Sequence, residues 1–284
     1  MKQAYRVARE LLRDRVRSSS PETLEILEQV RQADVVVIEG SYDRIQDVLE
    51  TAGMPFSQVN PERFDKSELR PDQIVFVNCP GSLSPAGLRK LEAFVREGGF
   101  LFTTDWALRN VLEPAFPGFV EFNDRPTGDE VVRIELLDRA DPMLKTVLDA
   151  NDDPQWWLEA SSYPIRVLSE EKVKVLIRSK EIEQRHGESP VLVTFNYGEG
   201  TVYHMISHFY LQRTETRTAR HAASSMEYVA GKGVEQAVMW KYRELGAEEI
   251  TTGQLESALA SNTIILGALL RHKTRGGRRS QPDE

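Results

Sequence analysis

The chain has 284 residues, 40% of them hydrophobic and 28% charged, a composition that lets a globular protein of this length bury a core without staples. Its net charge of −8 excludes a general nucleic-acid-binding surface, which needs a basic stripe to neutralise phosphates. With Cys79 as the only cysteine, neither an intramolecular disulfide nor a multi-cysteine zinc site is possible.

The opening segment MKQAYRVARELLRDRVRSSS mixes charged with apolar residues and has no uninterrupted apolar stretch. It does not read as a signal peptide, and the expected location is cytoplasmic. Residues 5–16 read as an amphipathic helix. SSSPETLEILEQV then starts a second helix, with Ser20 at the N-cap, Pro21 at the first helical position and acids in the first turn. Residues 1–32 are therefore expected to form an N-terminal helical extension.

The core, residues 33–212, opens with ADVVVIEG, a β-branched run that suits a strand buried on both faces of a parallel sheet. SYDRIQDVLETAG follows as a helix with Ile45, Val48 and Leu49 on one face and Gly53 as its stop. FSQVN and QIVFVNCPGS are the second and third strands. Ser84–Pro85 caps a helix with Leu88, Leu91, Phe94 and Val95 on one face, and FLFTTDW is the fourth strand with its turn. Alternating strands and helices with short connections predict an α/β fold: a three-layer sandwich around a mostly parallel sheet.

Beyond residue 124 the pattern loosens. VVRIELLD reads as a strand and DPMLKTVLD as a short helix. ANDDPQWWLEASSYPIRVL is turn-rich and carries a tryptophan pair, expected as packing rather than a ligand cage. KVKVLIRS and PVLVTFNYGEGTVYHMISHFY give three strands, the last two joined by a glycine-bearing hairpin turn. Residues 213–284 form a C-terminal helical extension. Its helices are GVEQAVMWKYRELG and TTGQLESALASNTIILGALLRHK, the latter with an apolar stripe at Leu255, Leu259 and 264–270. The basic end RHKTRGGRRSQPDE reads as a solvated tail. No internal repeat is visible.

His204 and His208 raise the possibility of a metal clamp. They follow a glycine hairpin in a strand-like run, where residues four apart lie about 13 Å from each other. Zinc needs each nitrogen about 2.0–2.1 Å away, so the two cannot share an ion, and no metal or cofactor is expected. His204 is then an interior residue. His208 stands at the strand end, where open α/β sheets build their sites.

On these elements, residues 33–210 resemble the class I glutamine amidotransferase-like superfamily, a flavodoxin-like α/β fold. VVVIEGSYD is similar to that family's first strand and turn. VFVNCPGS resembles its Gly-rich oxyanion loop, which implies that role for Gly81 or Ser82. GEGTVYHMISHFY resembles the final hairpin that carries a histidine and an acid; His208 matches the histidine, and Tyr210 stands in place of the acid. The family's nucleophile elbow carries a cysteine between small residues. Here FLFTTDWALRN puts Thr104 or Asp105 in that position, followed by Trp106. Amide attack near neutral pH relies on a thiolate, so glutaminase activity is not expected.

Three readings stay open. The first is a non-catalytic module acting in protein assembly or ligand binding, with a protein partner or self-association through the terminal helices. The second is a hydrolase or transferase in which Asp105 and His208 act as an acid–base pair at neighbouring strand ends, with Thr104 as a possible nucleophile and Gly81 amides for an oxyanion. The third is a small-molecule sensor with Tyr42, Asp105, Trp106, Arg109 and His208 lining a polar pocket. Glu39, at the first strand tip, could hold a neighbour by hydrogen bond. Against these stand plainer roles: Asp105 as the N-cap of WALRNVLE, and Cys79 as a small buried hydrophobe.

Overall fold

The computed structural model describes residues 1–19, 21–138, 141, 144, 152–159, 161–209 and 215–279. The expected cap at Ser20, the acid-replacing Tyr210 and most of the helix read in DPMLKTVLD lie outside them. Twelve strands form: β1 Val35–Ile38, β2 Ser57–Val59, β3 Ile74–Val77, β4 Phe100–Thr104, β5 Val120–Phe122, β6 Glu130–Arg133, β7 Glu135–Leu136, β8 Gln155–Leu158, β9 Ile165–Val167, β10 Val173–Arg178, β11 Pro190–Tyr197 and β12 Gly200–Met205. Eight make one sheet in the order β2-β1-β3-β4-β12-β11-β10-β7. The first five run parallel and the last three alternate. Helices cover both faces, the α/β architecture the sequence predicts. β1, β3 and β4 are buried at every position, as strands covered on both sides must be.

The principal helices are α1 Lys2–Ser19, α2 Pro21–Glu28, α3 Ile45–Ala52, α4 Pro85–Arg96, α5 Glu113–Ala115, α6 Lys180–His186, α7 Ala219–Ala222, α8 Ser225–Gly231, α9 Met239–Glu244 and α10 Thr252–Arg279. The Ser84 hydroxyl accepts from the Gly87 amide at the start of α4, with Pro85 in the first turn. Gly53 ends α3 at φ 71°, a left-handed conformation that glycine adopts without strain.

The second half departs from expectation. The tryptophan pair lies within β8, which pairs with β6, so the turn-rich segment contains a strand. Both rings are buried, as packing residues should be. VVRIELLD is divided between β6 and β7. The short helices α6 and α8 fall in segments for which the sequence predicts no element.

α1 lies along α10. From Leu255 to Leu269 α10 is buried on successive positions rather than on a stripe, so it is wrapped by its own chain. The Tyr5 hydroxyl donates to the Phe209 carbonyl at 2.5 Å, and the Ser257 hydroxyl to the Gln155 carbonyl at 2.6 Å. Phe209 in turn meets Phe76 and Phe102 of the central sheet, with centroids 6.0 and 4.7 Å away. The terminal helices therefore close over the sheet where the strand tips gather. Among the described residues no helix is long and apolar enough to cross a membrane.

Candidate functional site

The parallel register sets Met205 of β12 beside Thr104 of β4, and both strands end there. The Asp105 amide donates to the Met205 carbonyl at 2.8 Å, so Asp105 and residues 206–209 leave the sheet side by side. On the other flank, the Cys79 amide donates to the Thr104 hydroxyl at 3.2 Å. Gly40 lets the β1 loop lie against this corner, since a Cβ there would stand 2.2 Å from the Cys79 carbonyl oxygen. Loops after β1, β3, β4 and β12 thus meet at one point.

At that point lie Cys79, Asp105 and His208, at most 5% exposed. His208 Nε2 is 3.3 Å from Asp105 Oδ2, an ion-pair contact without the direction of a hydrogen bond. Cys79 Sγ lies 3.8 Å from the same oxygen. Asp105 Oδ1 accepts from the Tyr163 amide at 2.9 Å. His208 Nδ1 is 2.9 Å from Glu159 Oε2, a carboxylate delivered by the end of β8. Both Asp43 oxygens accept from the Phe209 amide at 3.1 Å, adding a third carboxylate near the ring.

Burial disfavours the charged imidazole, but Asp105, Cys79, Glu159 and the charge of Asp43 outweigh it and hold His208 well above its ordinary value. Burial pushes the Asp105 carboxyl up against the pull of His208. Burial likewise pushes the Cys79 thiol up, with His208 opposing.

Asp105 occupies the elbow with φ 46°, a left-handed conformation that aspartate tolerates better than most residues. Its carboxylate turns to Tyr163 and His208, and the turn of π-helix at Leu108–Leu112 that follows has no side-chain cap. The N-cap role expected of Asp105 is therefore not the one it takes. The Trp106 indole N–H donates to the Ser161 carbonyl at 2.7 Å, and its ring stacks on Tyr163 at 5.4 Å. Tyr42 meets Trp106 edge-on and is half exposed. Arg109 points outward to Asp124 at 3.0 Å.

The residues picked from sequence thus differ in burial. Thr104, Asp105 and His208 are buried, Trp106 is half-buried, and Tyr42 and Arg109 are exposed. Gly81 is at φ 72° and its amide donates to the Asn78 carbonyl at 2.9 Å, so that amide is spent within the loop. Ser82 is exposed. The amide of Glu39 continues the pairing of β1 with β2 through the Val59 carbonyl.

His204 stands apart, with Nδ1 2.8 Å from the Thr103 hydroxyl, and burial lowers its pKa to about 3. The histidine pair is divided as the strand spacing requires. Sequence reasoning missed Asp43 and Glu159, and it did not place Cys79 with Asp105 and His208. The SYD turn after the first strand was a usable signal for Asp43; nothing local distinguished Glu159.

No family model and no curated protein matches the chain. Among solved structures, it is similar to a glutamine amidotransferase from Thermotoga maritima at 11% identity and TM-score 0.46, covering 87% of this chain and 97% of that one. It is similar to a ThuA-like protein from Bacteroides uniformis at 12% identity and TM-score 0.45, over 62% and 82%. A β-galactosidase from Rahnella sp. R3 aligns at 13% identity and TM-score 0.44 over 62% of this chain, which spans 29% of that enzyme's length.

Proposed function

We propose that the chain is a non-catalytic amidotransferase-like module, cytoplasmic, acting in ligand binding or protein assembly. The observation that carries this reading is the buried strand-tip cluster: the elbow position holds Asp105, 3% exposed, whose carboxylate is engaged by Tyr163 and His208. A nucleophile must reach its substrate, and the side chains at this elbow face inward against partners of their own chain. The covered faces of α1 and α10 leave the aromatic roof of Tyr42, Trp106 and Tyr163 as the surface where a ligand or partner would sit, because amphipathic rings supply contact area at low entropic cost.

A second reading keeps one observation in its favour. Asp105 and His208 lie 3.3 Å apart, within the reach an acid–base pair needs. Assays of the full chain against ester, amide and phosphate-ester substrates separate the two. The module reading expects no turnover above the uncatalysed rate in the wild type. Turnover that disappears in Asp105→Asn and His208→Ala, with both variants folded, would establish the acid–base pair instead.

A further inference from the structure

The buried corner contains a ring nitrogen, His208 Nε2, that internal hydrogen bonding does not account for. His208 is 5% exposed, and its Nε2 makes no hydrogen bond among the described residues although it points at Asp105 and Cys79. An unused buried ring nitrogen carries a desolvation cost that native structures avoid. One donor atom from each of Cys79, Asp105 and His208 lies within 4.8 Å of the other two.

The His208–Asp105 separation matches coordination better than a charged hydrogen bond. With zinc bond lengths of about 2.0–2.3 Å, tetrahedral angles place nitrogen and oxygen donors about 3.3 Å apart and sulfur and oxygen donors about 3.5 Å apart. The corresponding distances are 3.3 Å for His208 Nε2 to Asp105 Oδ2 and 3.8 Å for Cys79 Sγ to Asp105 Oδ2. A charged hydrogen bond would draw the first pair to about 2.8 Å. The surrounding residues also suit a metal ligand. Glu159 Oε2 lies 2.9 Å from His208 Nδ1, a contact that keeps the Nδ1 proton in place when Nε2 gives up its own to a metal; carboxylates behind metal-bound histidines do this. Tyr163 holds the other oxygen of Asp105, so Oδ2 is the one left to bind. The Glu159 side chain is 29% exposed, which brings the edge of the cluster to solvent.

We propose that Cys79, Asp105 and His208 form a binding site for a single divalent transition metal, with Zn²⁺ the ion their donors suit best. A thiolate, an imidazole and a carboxylate together select zinc over magnesium or calcium, which take oxygen donors. On binding, the Cys79 thiol proton and any proton on His208 Nε2 pass to solvent, and the ion's two positive charges replace them among Asp43, Asp105 and Glu159. A fourth position remains for water. The site goes beyond the module reading and does not depend on it.

The test uses the full-length chain, stripped with chelator and titrated with Co²⁺ and then with Zn²⁺ in competition with a chromophoric chelator. One equivalent of Co²⁺ should bind and give a thiolate-to-metal charge-transfer band in the near ultraviolet, displaced by Zn²⁺. Cys79→Ser should lose the band, and Glu159→Gln should weaken affinity by about 10–100-fold. His186→Gln, at a separate histidine–carboxylate pair, should change neither. Absence of stoichiometric binding to the wild type overturns the site, and so does an undiminished affinity in Cys79→Ser or a loss in His186→Gln. Should Cys79→Ser fail to fold by circular dichroism, the band in the wild type decides: its presence supports the site and its absence refutes it. Turnover by the zinc-loaded chain would overturn the module reading while leaving the site in place. Absence of both binding and turnover would do the reverse.

Discussion

Asp105 combines a left-handed backbone, at φ 46°, with a carboxylate that serves the Tyr163 amide and His208. Two separate costs follow from changing it. Asp105→Asn keeps a residue that tolerates the conformation and loses the charge, so it should cost about 1–3 kcal/mol. Asp105→Ala loses the same contacts and must hold the positive φ without side-chain support, adding about 1 kcal/mol. Urea denaturation of both variants checks the order; equal midpoints would show that the backbone is not strained there.

His204 makes a pH prediction. Its pKa is lowered to about 3 in the folded chain from an ordinary 6.5, so as pH falls the unfolded chain takes up the proton first. The stability it protects is complete above about pH 6.5 and is lost on descending toward 3, on the order of 1 kcal/mol per pH unit. His204→Gln should show a shallower decline between pH 6.5 and 5 in denaturant midpoints. Parallel declines in the two proteins would refute this.

These residues were unevenly legible. The strand-end position of His208 and the separation of His204 from it follow from the two-residue strand period alone. Glu159 could not be found that way, because β8 reaches the cluster by tertiary placement and no periodicity marks it. The cap at Ser84 and the stop at Gly53 were readable because each acts on its own helix.

At the scale of elements, α10 depends on an ion pair with unequal members. Glu256 is fully buried, whereas the Arg220 side chain is 40% exposed. Two guanidinium nitrogens donate to the carboxylate at 2.9 Å, and the Asp153 amide donates at 2.9 Å. Removing the arginine strands a buried charge; removing the carboxylate lets the arginine rehydrate. Arg220→Met should therefore cost about 2–4 kcal/mol and Glu256→Gln about 1–2 kcal/mol, read from chemical denaturation. The reverse order would mean that Glu256 is less buried in solution. The same helix shows the limit of pattern reading. Its apolar stripe was visible, but the burial of residues 255–269 comes from α1, α7 and α8 closing around it, and polar positions such as Glu256, Ser257 and Ser261 are covered by partners far along the chain. β8 was missed for a related reason: a four-residue strand inside turn-rich sequence has too few alternations to declare itself.

At the scale of the whole molecule, continuous buried runs and short connections were enough to predict the α/β sheet. They could not say whether its strand tips would be open. That depended on a roof assembled from β1, β4 and β9 neighbours, with Trp106 in ring contact with both Tyr42 and Tyr163, and on terminal helices meeting the sheet at Phe209. The fold brings the loops after β1, β3, β4 and β12 together where α/β enzymes react, and the proposed module reading has them hold the corner closed. The claim that the corner is closed and non-catalytic is tested most directly by steady-state turnover of the full chain and its Asp105→Asn variant on ester, amide and phosphate-ester substrates. The account predicts no turnover above the uncatalysed rate from either protein. Turnover by the wild type that is lost in a folded Asp105→Asn variant would contradict it.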